Sequence, residues 1–150
     1  MDAIDRVIAN TPAYAGKTFQ RVPYNYVLPF ASLAAGAVAN GQLQFQADAD
    51  FIIQAQSYYA FTANAPTAAT RPYPNVTILQ NDSGAGKNLS NVAMPIPTEF
   101  GDGQFPFILP TPYIWSRNSV MSCQLTNNDG ATAYTMTLVF IGVKLQELTR

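Results

Sequence analysis

Residues 42–62 read QLQFQADADFIIQAQSYYAFT, and their alternation decides the fold. Leu43, Phe45, Ala47, Ala49, Phe51, Ile53 and Ala55 share one parity. Gln42, Gln44, Gln46, Asp48, Asp50, Gln54 and Gln56 share the other, broken only by Ile52. A period of two marks a strand with one face on a core and the other face wet. Left unbroken, the stretch would exceed the usual strand of ~3–10 residues. It therefore predicts two strands joined near residues 47–50, with Asp48 and Asp50 on the glutamine face beside the joint.

Upstream, residues 2–9 predict one or two helical turns with Ile4, Val7 and Ile8 on one face, stopped by Asn10-Thr11-Pro12. Pro12, Pro23 and Pro29 follow, interleaved with Tyr14, Phe19, Tyr24, Tyr26 and Phe30. Proline removes ladder donors, so this segment reads as an extended arm or an edge strand. SLAAGAVANG (32–41) reads as a loose connection of small residues, with a short helix as the alternative.

Downstream, NAPTAATRPYPN (64–75) is a loop, VTILQ (76–80) a strand and NDSGAGKN (81–88) a turn-rich loop. MPIPTEFGDGQFPFILPTP (94–112) is too rich in Pro and Gly for a helix or a central strand, and reads as short extended pieces. SVMSCQLT (119–126) turns Met121, Cys123 and Leu125 inward, and NNDG (127–130) reads as a hairpin turn. ATAYTMTLVFIGVKLQEL (131–148) is a long strand, apolar on both faces between Leu138 and Val143. Short strands with Pro/Gly punctuation predict an all-β, antiparallel β-sandwich of jelly-roll type. Residues 1–30 form the expected N-terminal arm and residues 31–150 a single domain.

Composition narrows the function. The chain is 48% hydrophobic but only 11% charged, against a usual charged share of ~25%. Its polar surface must come largely from Asn, Gln, Ser and Thr, which are cheap to desolvate against another protein. Net charge is −1 and the eight basic residues are scattered singly, so no stripe exists to neutralise a phosphate backbone. FASLAAGAVA (30–39) is half the length of a membrane span, and MDAIDRVIAN lacks an apolar signal core. The expectation is a soluble protein made in the cytoplasm, with neither nucleic acid nor membrane as partner. Cys123 is the single cysteine, which excludes an internal disulfide and a Cys-based zinc site.

With no histidine in the chain, Ser-His-Asp and Cys-His nucleophiles and His-ligated metals are off the menu. Asp82-Ser83-Gly84-Ala85 looks like the aspartic-protease motif, but Gln80 and Asn81 stand where apolar strand residues belong, and no second copy is present. A homodimer would have to supply the other acid. Gly86-Lys87 fails as a phosphate loop, because Asn81 and Asn88 replace the required Gly and Ser/Thr. Asp48 and Asp50 read three ways: a calcium pair helped by loop carbonyls, a solvated pair that discourages edge pairing, or a partner contact. Trp115 reads as a core or interface anchor, or as a sugar-stacking platform together with Tyr58, Tyr59 or Tyr73. No catalytic, cofactor-binding or metal-ligating residue is assigned. The candidate protein contacts are Tyr14, Phe19, Tyr24, Tyr26, Gln42, Gln44, Gln46, Asp48, Asp50 and Trp115.

The block FPFILPTPYIWSRNSVMSCQLTNNDGATAYTMTLVFIGVKL (105–145) carries a Leu-Pro-x-Pro segment (Leu109 to Pro112) and an aromatic-x-Arg-Asn-Ser lead-in (Trp115 to Ser119). An Asn-rich turn and a terminal Phe-x-Gly-x-Lys-Leu strand (Phe140 to Leu145) follow. In this pattern the chain resembles small virion structural proteins of tailed bacteriophages, most like jelly-roll capsid decoration (cementing) proteins. The resemblance implies a homo-oligomer, dimer or trimer, that sits on the capsid exterior and clamps the major capsid protein. Neck, collar and tail-adaptor proteins share similar sandwiches, and a carbohydrate-binding module is the alternative of another class. The resemblance brings no catalytic residues with it.

Overall fold

Residues Tyr134–Glu147 alternate well enough to hold the middle of a sheet. Met136, Leu138 and Phe140 are fully buried on one face, and Val139, Ile141 and Val143 are half-buried on the other. In the computed structural model, which describes residues 2–62 and 73–148, this segment is β9. Before it come β1 (Phe19–Leu33), β2 (Val38–Gln44), β3 (Asp50–Thr62), β4 (Val76–Asp82), β5 (Lys87–Asn88), β6 (Met94–Pro95), β7 (Phe107–Trp115) and β8 (Val120–Asn127). Helix α1 (Ala3–Ala9) opens the chain, and α2 (Ile96–Glu99) is a single turn.

One antiparallel sheet has the order β1-β9-β3-β7 and the other β2-β8-β4-β5, with β6 beside β4. Apart from β4 to β6, successive strands lie in opposite sheets, which is the winding of a jelly roll. The expected all-β sandwich is the fold. Phe45, Phe51, Trp115, Met121, Leu125 and Phe140, drawn from both sheets and the joint at 45–49, are buried in the core between them. Outside the first sheet a smaller cluster packs Ile4 and Tyr14 on Ile52 and Leu145. Asp2 and Asp5 close a reciprocal capping box on α1, and the Arg21 guanidinium binds both carboxylates. The helix is thereby tied to β1.

Several expectations need correction. Of the two readings of residues 12–30, the edge strand is the one formed: β1 pairs with β9 from Phe19↔Glu147 to Leu33↔Tyr134, across the boundary drawn at residue 30. The stretch 32–41 is the end of β1, a turn with Gly36 at φ 68°, and the start of β2. Residues 94–112 include one helical turn and an edge strand as well as extended pieces. The NNDG turn does not close a hairpin, since β8 and β9 lie in different sheets. Asn127 explains the crossing: its buried amide donates to the carbonyls of Leu33, Ala34 and Thr132, fastening the crossover to the end of β1. The loop expected at 64–75 falls mostly outside the described residues.

The joint near 47–50 is present, between Gln44 and Asp50, and it too passes from one sheet to the other. The alternation does not survive to residue 56, however. Ile53 pairs with Gly142 and Ala55 with Ile141, so Gln54 is an extra residue on β3. On its other side Tyr113 pairs with Ile53 and Ile108 with Ala55, leaving 109–112 of β7 to bow out opposite the same Gln54. Pro110 and Pro112 lie in that bow, where missing donors cost nothing. A one-residue bulge exchanges the faces of everything beyond it. Gln56, Tyr58 and Ala60 consequently enter the buried side, and Gln56, assigned to the wet face by parity, is an interior residue.

Gly142 is required where the bulge meets β9: a Cβ there would lie 1.9 Å from the Ile52 carbonyl oxygen. Gly142→Ala is expected to destabilise the fold by about 1–3 kcal/mol, the usual cost of overpacking, read as a lowered urea midpoint. An unchanged midpoint would show that β3 and β9 do not approach this closely.

Candidate functional site

The acids that stand out in the sequence gather at one end of the sandwich, but as two separate arrangements. Asp48, in the joint before β3, receives Lys144 of β9: Nζ lies 3.1 and 2.9 Å from its two carboxylate oxygens. The same ammonium donates to Gln46 Oε1 and sits 4.1 Å from the centre of the Tyr24 ring. Lys144 shares the inward parity of Leu138 and Phe140, and its side chain is only 5% exposed. Aromatic faces shield the stem while the charge reaches the rim. Asp50 instead accepts from the Tyr14 hydroxyl and from the Arg117 backbone N–H, each at 2.8 Å. Burial and the Asp50 hydrogen bond push the Tyr14 hydroxyl well above the usual phenol range.

Between these groups lies an open polar cleft of about 520 Å³, with Lys17, Phe19, Arg117 and Glu147 on its walls. Lys17 and Glu147 pair across it at 3.1 Å. The acids at this end hold structure together. Asp50 secures the turn carrying Tyr14 and the loop at Arg117, and Asp48 neutralises Lys144. Among the described residues, no three Asp, Glu, Cys or His side chains come together as a metal would require. The arrangement therefore ties β3, β9 and the N-terminal turn together.

The other residues singled out by sequence separate cleanly by burial. Gln42, Gln44 and Gln46 are exposed, Phe19 and Tyr24 are half-buried, and Tyr14 and Tyr26 are buried. The Tyr26 hydroxyl accepts from the Gln46 backbone N–H at 3.0 Å, which fixes the exit of β2. Trp115 is 0% exposed and stacks on Phe45 at 5.0 Å, so it is neither a surface contact nor an open sugar platform. Tyr58 is buried, while Tyr59 and Tyr73 are exposed. Asp82 Oδ1 accepts from the backbone of Gly84 and Ala85, and Oδ2 from the Tyr113 hydroxyl, which makes it the clamp of the β4–β5 turn. Lys144 is easily missed in the sequence because a lysine near a chain end reads as a wet terminus. Its inward parity, continued from Phe140, is the signal that could have found it.

No helix among the described residues is long and apolar enough to cross a membrane. A scan against protein-family models and a search of curated proteins both return no match to the chain.

Two outcomes are expected here. Lys144→Ala should cost about 2–4 kcal/mol, because the packed stem is lost. Lys144→Met, which keeps the stem, should stay within about 1 kcal/mol of the parent, since Asp48 is half in water and resolvates. Equal losses in urea unfolding would place the stabilisation in the charge instead. Burial, with a smaller contribution from Glu99, pushes the Cys123 thiol up to about 12. Iodoacetamide at about pH 8.5, the ordinary thiol range, should leave the folded protein unlabelled and react on unfolding. Rapid labelling of the folded form would contradict the inward placement of β8.

Proposed function

We propose that the protein is a structural component of a tailed-bacteriophage virion, of the capsid decoration type, made in the host cytoplasm. It binds the major capsid protein from the capsid exterior and associates with further copies of itself. The observation that carries this reading is the contact-ready edge of the first sheet. Phe105 and Ile108 are 76% and 75% exposed, with Phe107 between them, on or just before edge strand β7. Large apolar side chains grouped on a sheet edge mark an interaction surface, because burying them on a partner removes their contact with water.

The remaining features support the same reading. Gln42 and Gln44 give edge strand β2 an uncharged, hydrogen-bonding rim that is cheap to desolvate, and Gln46 lies exposed just beyond its end. Jelly rolls are a recurrent fold of capsid proteins, among other roles, which agrees with this reading. Repetition on a symmetric shell would multiply modest contacts into firm retention. A neck, collar or tail adaptor would use the same surface.

Because residues 19–33 are an integral edge strand, deletion of residues 1–30 would damage the sheet and cannot test attachment. The test is co-sedimentation with capsids assembled without this protein, comparing the parent with Phe105→Ser/Ile108→Ser. The parent should pellet with the capsids, and the double variant should bind at least about tenfold more weakly, a loss of ~1.4 kcal/mol. Failure of the parent to bind capsids would overturn the decoration reading, and undiminished binding by a folded double variant would overturn the role of this edge.

A further inference from the structure

Three buried polar atoms without a hydrogen-bond partner among the described residues belong to side chains around one cavity. They are Gln80 Oε1, Glu99 Oε2 and Trp115 Nε1. The cavity, of about 360 Å³, lies where the bow in β7 parts from β3: Leu109 and Tyr113 of β7 face Gln56 of β3 and Gln80 of β4. Gln80 Nε2 donates to Gln56 Oε1 at 3.0 Å, which turns the Gln80 carbonyl into an acceptor still to be used. Gln80 and Trp115 are 1% and 0% exposed. Orphaned polar atoms so deep are rare in folded proteins, because each gives up its hydrogen bonds to water with nothing in exchange. Three around one cavity make a built arrangement.

We infer that this cavity is a binding site for a small, uncharged, polyhydroxylated molecule of monosaccharide size. The volume falls within the ~300–1,000 Å³ of small-molecule pockets and would hold about a dozen waters at ~30 Å³ each. Two acceptors and one donor must be matched together. Adjacent hydroxyls do this, because each donates one proton and accepts through its oxygen. The two acceptors would take hydroxyl protons and the indole N–H would donate to a hydroxyl oxygen. Leu109 and the Tyr113 ring supply apolar walls for the C–H faces of such a ligand. Trp115 contributes only its N–H, from inside the core, unlike a surface stacking platform. The inference is independent of the virion reading, and neither failing affects the other.

Trp115 is the single tryptophan, so its indole N–H gives one assignable cross-peak in an ¹H–¹⁵N spectrum. The uniformly labelled protein is titrated with the methyl glycosides of glucose, galactose and N-acetylglucosamine, and separately with acetamide. At least one glycoside should shift the indole peak saturably, with Kd of about 1 mM or tighter. By ligand-observed saturation transfer, Trp115→Phe and Glu99→Gln should each weaken that binding at least about tenfold with the backbone spectrum retained. No saturable shift with any glycoside, or a response to acetamide alone, overturns the inference. So does binding that survives both substitutions.

Discussion

Two glutamine side chains meet in the middle of this protein, and much of its architecture follows from how they reach that position. Gln56 comes from one sheet and Gln80 from the other, and a single amide hydrogen bond of 3.0 Å joins them across the core. Gln80 arrives by simple alternation along β4. Gln56 arrives only because Gln54 is an extra residue, which exchanges the faces of β3 halfway along its length. The bulge needs Gly142 on one side and the proline-bearing bow of β7 on the other. That bow in turn leaves room for the cavity behind it. A buried polar bond of this kind fixes register, since a slip of one residue in β3 would carry Gln56 to the outer face and leave the Gln80 amide unpaired in an apolar interior.

The two ends of the sandwich solve different problems. At one end, charge is brought into the rim and neutralised: Lys144 reaches Asp48 beneath Tyr24, while Asp50 secures the N-terminal turn through Tyr14. At the crossover from β8, Asn127 uses its amide to hold the carbonyls of Leu33, Ala34 and Thr132. Both devices replace regular pairing where the chain leaves one sheet for the other. With few charged residues to spend, the fold uses amides for the same purpose.

The fold class was legible because Leu43, Phe45, Phe51 and Ile53 alternate against glutamines, and because Met121, Cys123 and Leu125 do so again. One wet and one dry face leave a period of two in any sequence. What stayed hidden depends on distant partners. The bulge at Gln54 is set by Gly142 and by Pro110 and Pro112, none of them nearby in the chain. The basic partner of Asp48 lies 96 residues away, so the two acids looked unassisted. Neighbouring strands with an Asp-Gly turn ordinarily form a hairpin, and only the Asn127 anchoring shows that β8 and β9 part. Trp115 read either as a core or interface anchor or as a sugar-stacking platform, and the packing of its ring against Phe45 places it in the core.

The bulge, the interior amide pair and the cavity stand or fall with the register of β3 on β9. Cross-strand backbone nuclear Overhauser contacts measure that register directly. The expected contacts place Gln56 opposite Phe140 and Ser57 opposite Val139, following Ile53 opposite Gly142. A continuous ladder with Gln56 opposite Val139 would return Gln56 to the outer face and contradict the bulge.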